Sequence, residues 1–159
     1  MLTVHERIYA LELRMRGVED QLAIYQLLAA YGPAVDSLSG DAAGALWVEE
    51  GTYEAGTFTF NGQAEIAGLV DKEPHRTYVA NGCAHVVSLP QVTIDGDNAV
   101  ARNHSRVYLR DGDHWRVERA SANRWELKRT TAGWKVVRRI NKLLDGNPEA
   151  QALLAPEAP

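Results

Sequence analysis

Three turn signals divide the C-terminal half of the chain: Asp95-Gly96-Asp97, Asp111-Gly112-Asp113 and the segment 130–133. Between and around them lie strand-like runs at 86–94 (interrupted by Pro90), 99–110, 115–129 and 134–140. Turns this short leave no room for a crossover helix, so consecutive strands must pair antiparallel as a meander. The N-terminal half has the other period. From Val18 to Val35, Leu22, Tyr25, Leu28 and Tyr31 recur at helical spacing, with Ile24, Leu27 and Val35 beside them. Ile8, Leu11 and Met15 mark a shorter helix before it, which Thr3 and Glu6 can open as a capping box. Pro33 is expected to kink or shorten the main helix near its end.

The middle of the chain is a mixture. Asp41 is placed to cap a short helix running to Trp47. Residues 52–60 read as a hairpin about Ala55-Gly56, 63–70 as a third short helix, and 72–82 as loop. Helices followed by a long antiparallel meander define the α+β class. The expected architecture is a cone-shaped, curved antiparallel or mixed sheet closed by the N-terminal helices, with an interior suited to a ligand. One domain is expected over residues 1–146, followed by an Ala/Pro/Glu-rich tail, 147–159, that is partly disordered.

Composition excludes several classes of function. With 159 residues, 24% charged and a net charge of −4, the chain has no bulk affinity for nucleic acid or an anionic membrane. The arginines between Arg102 and Arg139 are interrupted by acids and apolar residues, and read as solvated strand faces. The single cysteine, Cys83, excludes an internal disulfide and fits a reducing compartment. Without a basic start or a long apolar run, no signal peptide and no membrane span are expected, and the default location is cytoplasmic. Metal-binding spacings, a phosphate loop, a dinucleotide fingerprint and a Gly-x-Ser-x-Gly elbow are all absent, so no metal and no cofactor are expected. Acid/base chemistry by Asp, His and Tyr remains.

The segment 115–129 places Ser121 and Asn123 on the parity of Trp115, Val117, Arg119, Trp125 and Leu127, the face expected to be buried. A buried hydroxyl and amide need partners, either in neighbouring protein groups or in a polar ligand. Arg119 shares this parity and could meet a carboxylate, unless a bulge turns it outward. His85 begins the first long strand. Asp36 follows Val35 on the apolar side of the main helix, at a C-terminus whose dipole disfavours a carboxylate. Tyr31 lies on the same stripe. His104 and Tyr108 sit on a strand with no cleanly apolar face, and His5, His75 and His114 read as surface residues.

Taken together, these features resemble the SnoaL-like families of the nuclear transport factor 2-like superfamily, over residues 5–145. Within it, three kinds of metal-free lyase are similar: scytalone dehydratase, bile acid 7α-dehydratase and hexachlorocyclohexane dehydrochlorinase. The stretch from Glu6 to Glu12 resembles the start of the bile acid enzyme. The family's tyrosine and aspartate match Tyr31 and Asp36, and its histidine before a Pro-x-Val-Thr-Ile-Asp strand matches His85, ahead of Pro90 to Asp95. A hairpin tyrosine matches Tyr53, Ser121-Ala122-Asn123 the Ser-x-Asn of scytalone dehydratase, and Cys83-Ala84-His85 the Cys-x-His of the dehydrochlorinase. His104 lies only near the second pocket histidine of scytalone dehydratase, and Tyr108 stands where the bile acid enzyme has an aspartate.

The resemblance implies a catalytic set of Asp36, His85 and Tyr31, with Tyr53, Ser121, Asn123, His104 and Tyr108 around the substrate. It implies a lyase of the dehydratase type acting on a small hydrophobic oxygenated molecule through an Asp–His pair. Isomerase, hydrolase and non-catalytic binder remain as alternatives on the same fold. Homo-oligomers, trimers or dimers, are expected because relatives form them.

Overall fold

The structure, a computed structural model, describes residues 2–156. Helix α1 spans Val4–Ala29 and opens with the expected capping box, in which the Thr3 side chain accepts from the Glu6 amide and the Glu6 carboxylate accepts from the Thr3 amide. A single helix replaces the two expected, because nothing between Met15 and Val18 breaks the backbone ladder; Gly17 is tolerated within it. The break comes at Ala30, before α2, Tyr31–Asp36. Pro33 accounts for that position, since its ring clashes with the carbonyl four residues upstream, on Ala29, where α1 stops.

Helix α3, Gly40–Gly44, is preceded by Ser39 rather than capped by Asp41, and it ends three residues before Trp47, which instead opens strand β1, Trp47–Ala55. The hairpin partner β2 is Phe58–Asn61, turned at Gly56 with φ +65°. Helix α4, Gly62–Ala67, runs into a 3₁₀ turn, Gly68–Asp71. The segment expected to be loop then forms helix α5, His75–Asn81. Strands β3, Cys83–Val87, and β4, Gln91–Asp95, are separated at Pro90 as the sequence implies. The long strands β5, Asn98–Asp111, β6, His114–Thr130, and β7, Gly133–Leu143, complete the meander.

The strand order is β2-β1-β7-β6-β5-β3, with β4 also paired to β5; β1 pairs parallel to β7 and every other pair is antiparallel. The sheet is curved but not closed into a barrel, and the N-terminal helices pack against it. The core lies between them, with Ile24, Leu28 and Val35 from the helices against Trp47, Trp125, Leu127 and Val136 from the sheet. Of the tail expected to be irregular, Pro148–Leu154 forms helix α6, capped by the Asn147 side chain and burying Ala150; residues 157–159 lie outside the described residues. No helix among the described residues is long and apolar enough to cross a membrane.

A bulge on β6 corrects the parity reading. Val107 pairs with Arg119 and Tyr108 with Val117, so Glu118 is the extra residue. From Arg119 onward the odd face points inward, as expected. Before the bulge it points outward, leaving Trp115 56% and Val117 52% exposed. The bulge therefore turns the strand's first residues outward and keeps Arg119 on the inner side.

Candidate functional site

A cavity of about 280 Å³ opens between α5, the β1–β2 hairpin and the concave face of the sheet. Its walls are Tyr31, Tyr53, Phe58, Phe60, His75, Tyr78 and His85, with Lys72, Glu73 and Arg119 around it. The volume is slightly below the ~300 Å³ at which drug-sized sites begin.

Asp36 and His85 meet here although 49 positions separate them in sequence. Asp36 closes α2, and α2 lies directly on β3. Gly32 makes the approach possible: a Cβ there would stand 2.1 Å from the His85 carbonyl oxygen. The close packing brings the Asp36 carboxylate under His85 at two points. Oδ2 accepts from the His85 backbone N–H at 2.7 Å, and Oδ1 lies 2.6 Å from Nδ1. A carboxylate can only accept, so Nδ1 carries the hydrogen and the lone pair of the neutral ring sits on Nε2, the nitrogen left for a ligand. Burial alone would raise the Asp36 pKa. The hydrogen bonds from the ring and backbone of His85 outweigh it and hold the carboxyl below its ordinary value. These donors also offset the unfavourable helix terminus.

Cys83 donates to Asp36 Oδ1 at 3.7 Å. Asp36, Cys83 and His85 place donor atoms within 4.8 Å of one another, a spacing that could hold a metal ion. Burial first, then the neighbouring carboxylate, push the thiol up to about 12, so without a metal it stands protonated, as a hydrogen-bond donor to Asp36.

His75 corrects the expectation of a surface residue. It is buried, and its ring centroid lies 5.2 Å from that of His85. Nε2 donates to the Val35 carbonyl at 2.9 Å, which leaves the lone pair on Nδ1. Burial lowers its pKa below the ordinary value. The site thus holds a second, neutral histidine. Its signal in the sequence is Pro74 followed by His75 and Tyr78 at helical spacing, a short helix start hidden in a loop-like composition.

Beneath the cavity the rings of Tyr31, Trp47, Tyr53 and Trp125 pack with centroids 5.9–6.2 Å apart. The guanidinium of Arg139 sits among them, its Cζ 4.3 Å from the Tyr31 ring, 4.5 Å from Tyr53 and 4.1 Å from Trp125. Nε and Nη2 donate to Asn123 Oδ1 at 3.1 and 2.9 Å. Burial pushes the Tyr31 hydroxyl above its ordinary pKa, so it remains a neutral donor.

The remaining candidates lie elsewhere. Asn123 is committed to the protein: its oxygen accepts from Arg139 and Asn141, and its Nδ2 donates to Ser105 at 3.0 Å. Ser121 is buried beside it on β6, and neither lines the cavity. The alternative of protein partners therefore holds for Asn123. His104 and Tyr108 are corrected outright: His104 is exposed, Tyr108 is half-buried opposite Ala84, and both have the parity opposite to buried Asn103, Val107 and Leu109, on the outer face of β5.

The model of the SnoaL-like domain family matches residues 16–140. The chain belongs to the SnoaL-like family. Its fold is that of the nuclear transport factor 2-like superfamily. A crystal structure of such a protein, with a cystatin-like fold, from Novosphingobium aromaticivorans is 44% identical, with a TM-score of 0.91 over 98% of this chain and 99% of that one. Another protein of that organism, given the provisional name aromatic ring hydroxylase, is 28% identical, with a TM-score of 0.63 over 80% of this chain and 90% of that one. A Mycobacterium tuberculosis protein of unknown function shares the fold at 19% identity and a TM-score of 0.74, over 86% and 79% of the two chains. No curated protein matches at a significant level.

Proposed function

We propose that this SnoaL-like protein is a metal-free lyase of the dehydratase type, acting on a small, largely apolar molecule that carries a carbonyl and a β-hydroxyl. The observation that carries the reading is the two-point grip of Asp36 on His85, a residue that lines the cavity, which leaves the lone pair of the ring on Nε2. Nε2 of His85 removes the proton from the carbon between the two oxygen functions. The electron pair passes to the carbonyl oxygen, and hydrogen bonds from Tyr31 and Tyr53, with the charge of Arg139 behind them, stabilise that oxyanion. As the pair returns it forms the C=C bond and breaks the C–O bond to the β-hydroxyl. The proton on His85 leaves with that hydroxyl as water, which restores the neutral imidazole. Asp36 stays ionised throughout and stabilises the transient imidazolium. His75 accepts from the substrate hydroxyl through Nδ1 and orients it. Phe58, Phe60 and Tyr78 suit an aromatic ring on the substrate, and the provisional name of the 28% identical neighbour also points to aromatic compounds.

A panel of β-hydroxy aryl ketones tests the proposal, with the conjugated enone followed by absorbance. His85→Ala is expected to lower kcat/KM by about 10²–10⁴-fold, the usual worth of a positioned base. Equal turnover by His85→Ala and the wild type would sink it. Saturable binding of panel members without turnover or α-proton exchange in deuterium oxide would replace it with a binding role.

A further inference from the structure

Residues 2–19 are all exposed, so α1 projects more than four turns from the domain before Asp20 anchors it. Isolated helices of this length are marginal in water and take most of their stability from packing an apolar stripe. This helix has the stripe and, among the described residues, nothing on it. Val4, Ile8, Leu11, Met15, Val18 and Leu22 alternate at spacings of four and three, and each is between 49% and 70% exposed. That is an a/d heptad seam, with Ile8, Met15 and Leu22 at a and Val4, Leu11 and Val18 at d.

Two features point to the occupant. The residues that hold α1 to the domain, Asp20 and Ile24, each lie two positions from Leu22, about 200° around the helix. The seam therefore faces directly away from its own domain, and a partner helix can lie along it without meeting the sheet. The flanking charges are also self-complementary in one direction only. The g positions hold Arg7 and Arg14, and the e positions Glu12 and Glu19. In a parallel pair each g residue meets the e residue five positions on in the other strand, so Arg7 faces Glu12 and Arg14 faces Glu19, twice by symmetry. In an antiparallel pair g faces g and e faces e, which sets arginine against arginine and glutamate against glutamate.

We infer that two copies of this chain associate through a parallel, two-stranded coiled coil of their α1 helices, related by a two-fold axis along the seam. This interface is independent of the cavity chemistry. The pairing covers the apolar stripe and explains why α1 extends so far beyond the residues that dock it.

Sedimentation of the full chain at micromolar concentration tests the pairing, combined with two variants whose sites are exposed and leave the domain core untouched. A dimer is expected for the wild type. Leu11→Glu combined with Met15→Glu should raise the dissociation constant by about tenfold or more, since it puts carboxylates into the apolar seam, while the thermal transition of the domain persists. Val18→Cys should form a disulfide-linked dimer under mild oxidation that the wild type, with Cys83 alone, does not form; in an antiparallel pair the two introduced thiols would be too far apart. A monomeric wild type, a dimer indifferent to Leu11→Glu/Met15→Glu, a trimer, or failure of Val18→Cys to cross-link would each overturn the inference.

Discussion

The Asp36–His85 contact fixes a tautomer, and that makes it testable atom by atom. Asp36→Asn keeps an oxygen to accept from the His85 backbone N–H, so the fold should survive. The new amide N–H₂ then faces Nδ1 and can only donate, which moves the ring hydrogen to Nε2 and removes the base from the cavity. The expected outcome is a loss of about 10²–10⁴-fold in kcat/KM, with a domain that still folds cooperatively but melts at a lower temperature near neutral pH, where the carboxylate's contribution is complete, and a switch of the His85 tautomer in nitrogen-15 NMR spectra. His75 makes a separate prediction, through stability. Its folded pKa is depressed by burial. The unfolded chain therefore binds more protons, and the fold loses stability as pH drops below about 6.5. His75→Gln, which can still donate to the Val35 carbonyl, should flatten that limb in melting temperatures measured against pH. The Asp36 effect has its own window. With its folded pKa also depressed, its contribution is complete above its unfolded value of 3.8 and is lost as pH falls through the lower folded value. The two limbs are thus separable.

At the scale of elements, the site depends on how closely α2 lies on β3, and Gly32 sets that distance. Gly32→Ala places a methyl group against the His85 backbone carbonyl, which cannot rotate away. The expected cost is about 1–3 kcal/mol, in the range of overpacked cores, read by denaturant unfolding. Activity should fall more than stability implies, because the shift opens the Asp36–His85 contact itself. The base of α1 is held differently: Arg129 grips both oxygens of Asp20, one at 2.8 Å, while Trp134 donates to the same carboxylate at 3.1 Å. This scale also separates what the sequence makes legible from what it does not. The meander and its turns, the capping box, and the residues Tyr31, Asp36, Tyr53 and His85 are readable because local period and family resemblance coincide there. Helix α5 is not, since seven residues with polar and aromatic side chains carry no clear stripe, and His75 goes with it. The outward turn of Trp115 and Val117 depends on one unpaired residue, Glu118, which alternation alone cannot place. Leu22 matches the apolar stripe of the main helix, yet the domain uses another face of α1, and only packing reveals that choice.

Across the whole molecule, the cavity and the core share walls. Tyr31 and Tyr53 face the ligand space with one part of their rings and Arg139 with another, and Arg139 ties them through Asn123 to β5, β6 and β7. A buried cation in that position couples the electrostatics of the site to the integrity of the sheet. Arg119, by contrast, lies on the same inner side but is exposed at the edge of the cavity. The two arginines should therefore respond in opposite ways to truncation. Arg139→Ala leaves a void among three rings and removes two donors from Asn123; a loss of about 2–5 kcal/mol is expected, with the melting temperature and any turnover falling together. Arg119→Ala should leave unfolding within about 0.5 kcal/mol of the wild type and change only KM, most for ligands that carry a carboxylate. Denaturant unfolding of both variants beside steady-state kinetics decides the matter: if Arg119→Ala destabilised the fold as strongly as Arg139→Ala, the division between a rigid floor and an adjustable rim would not hold.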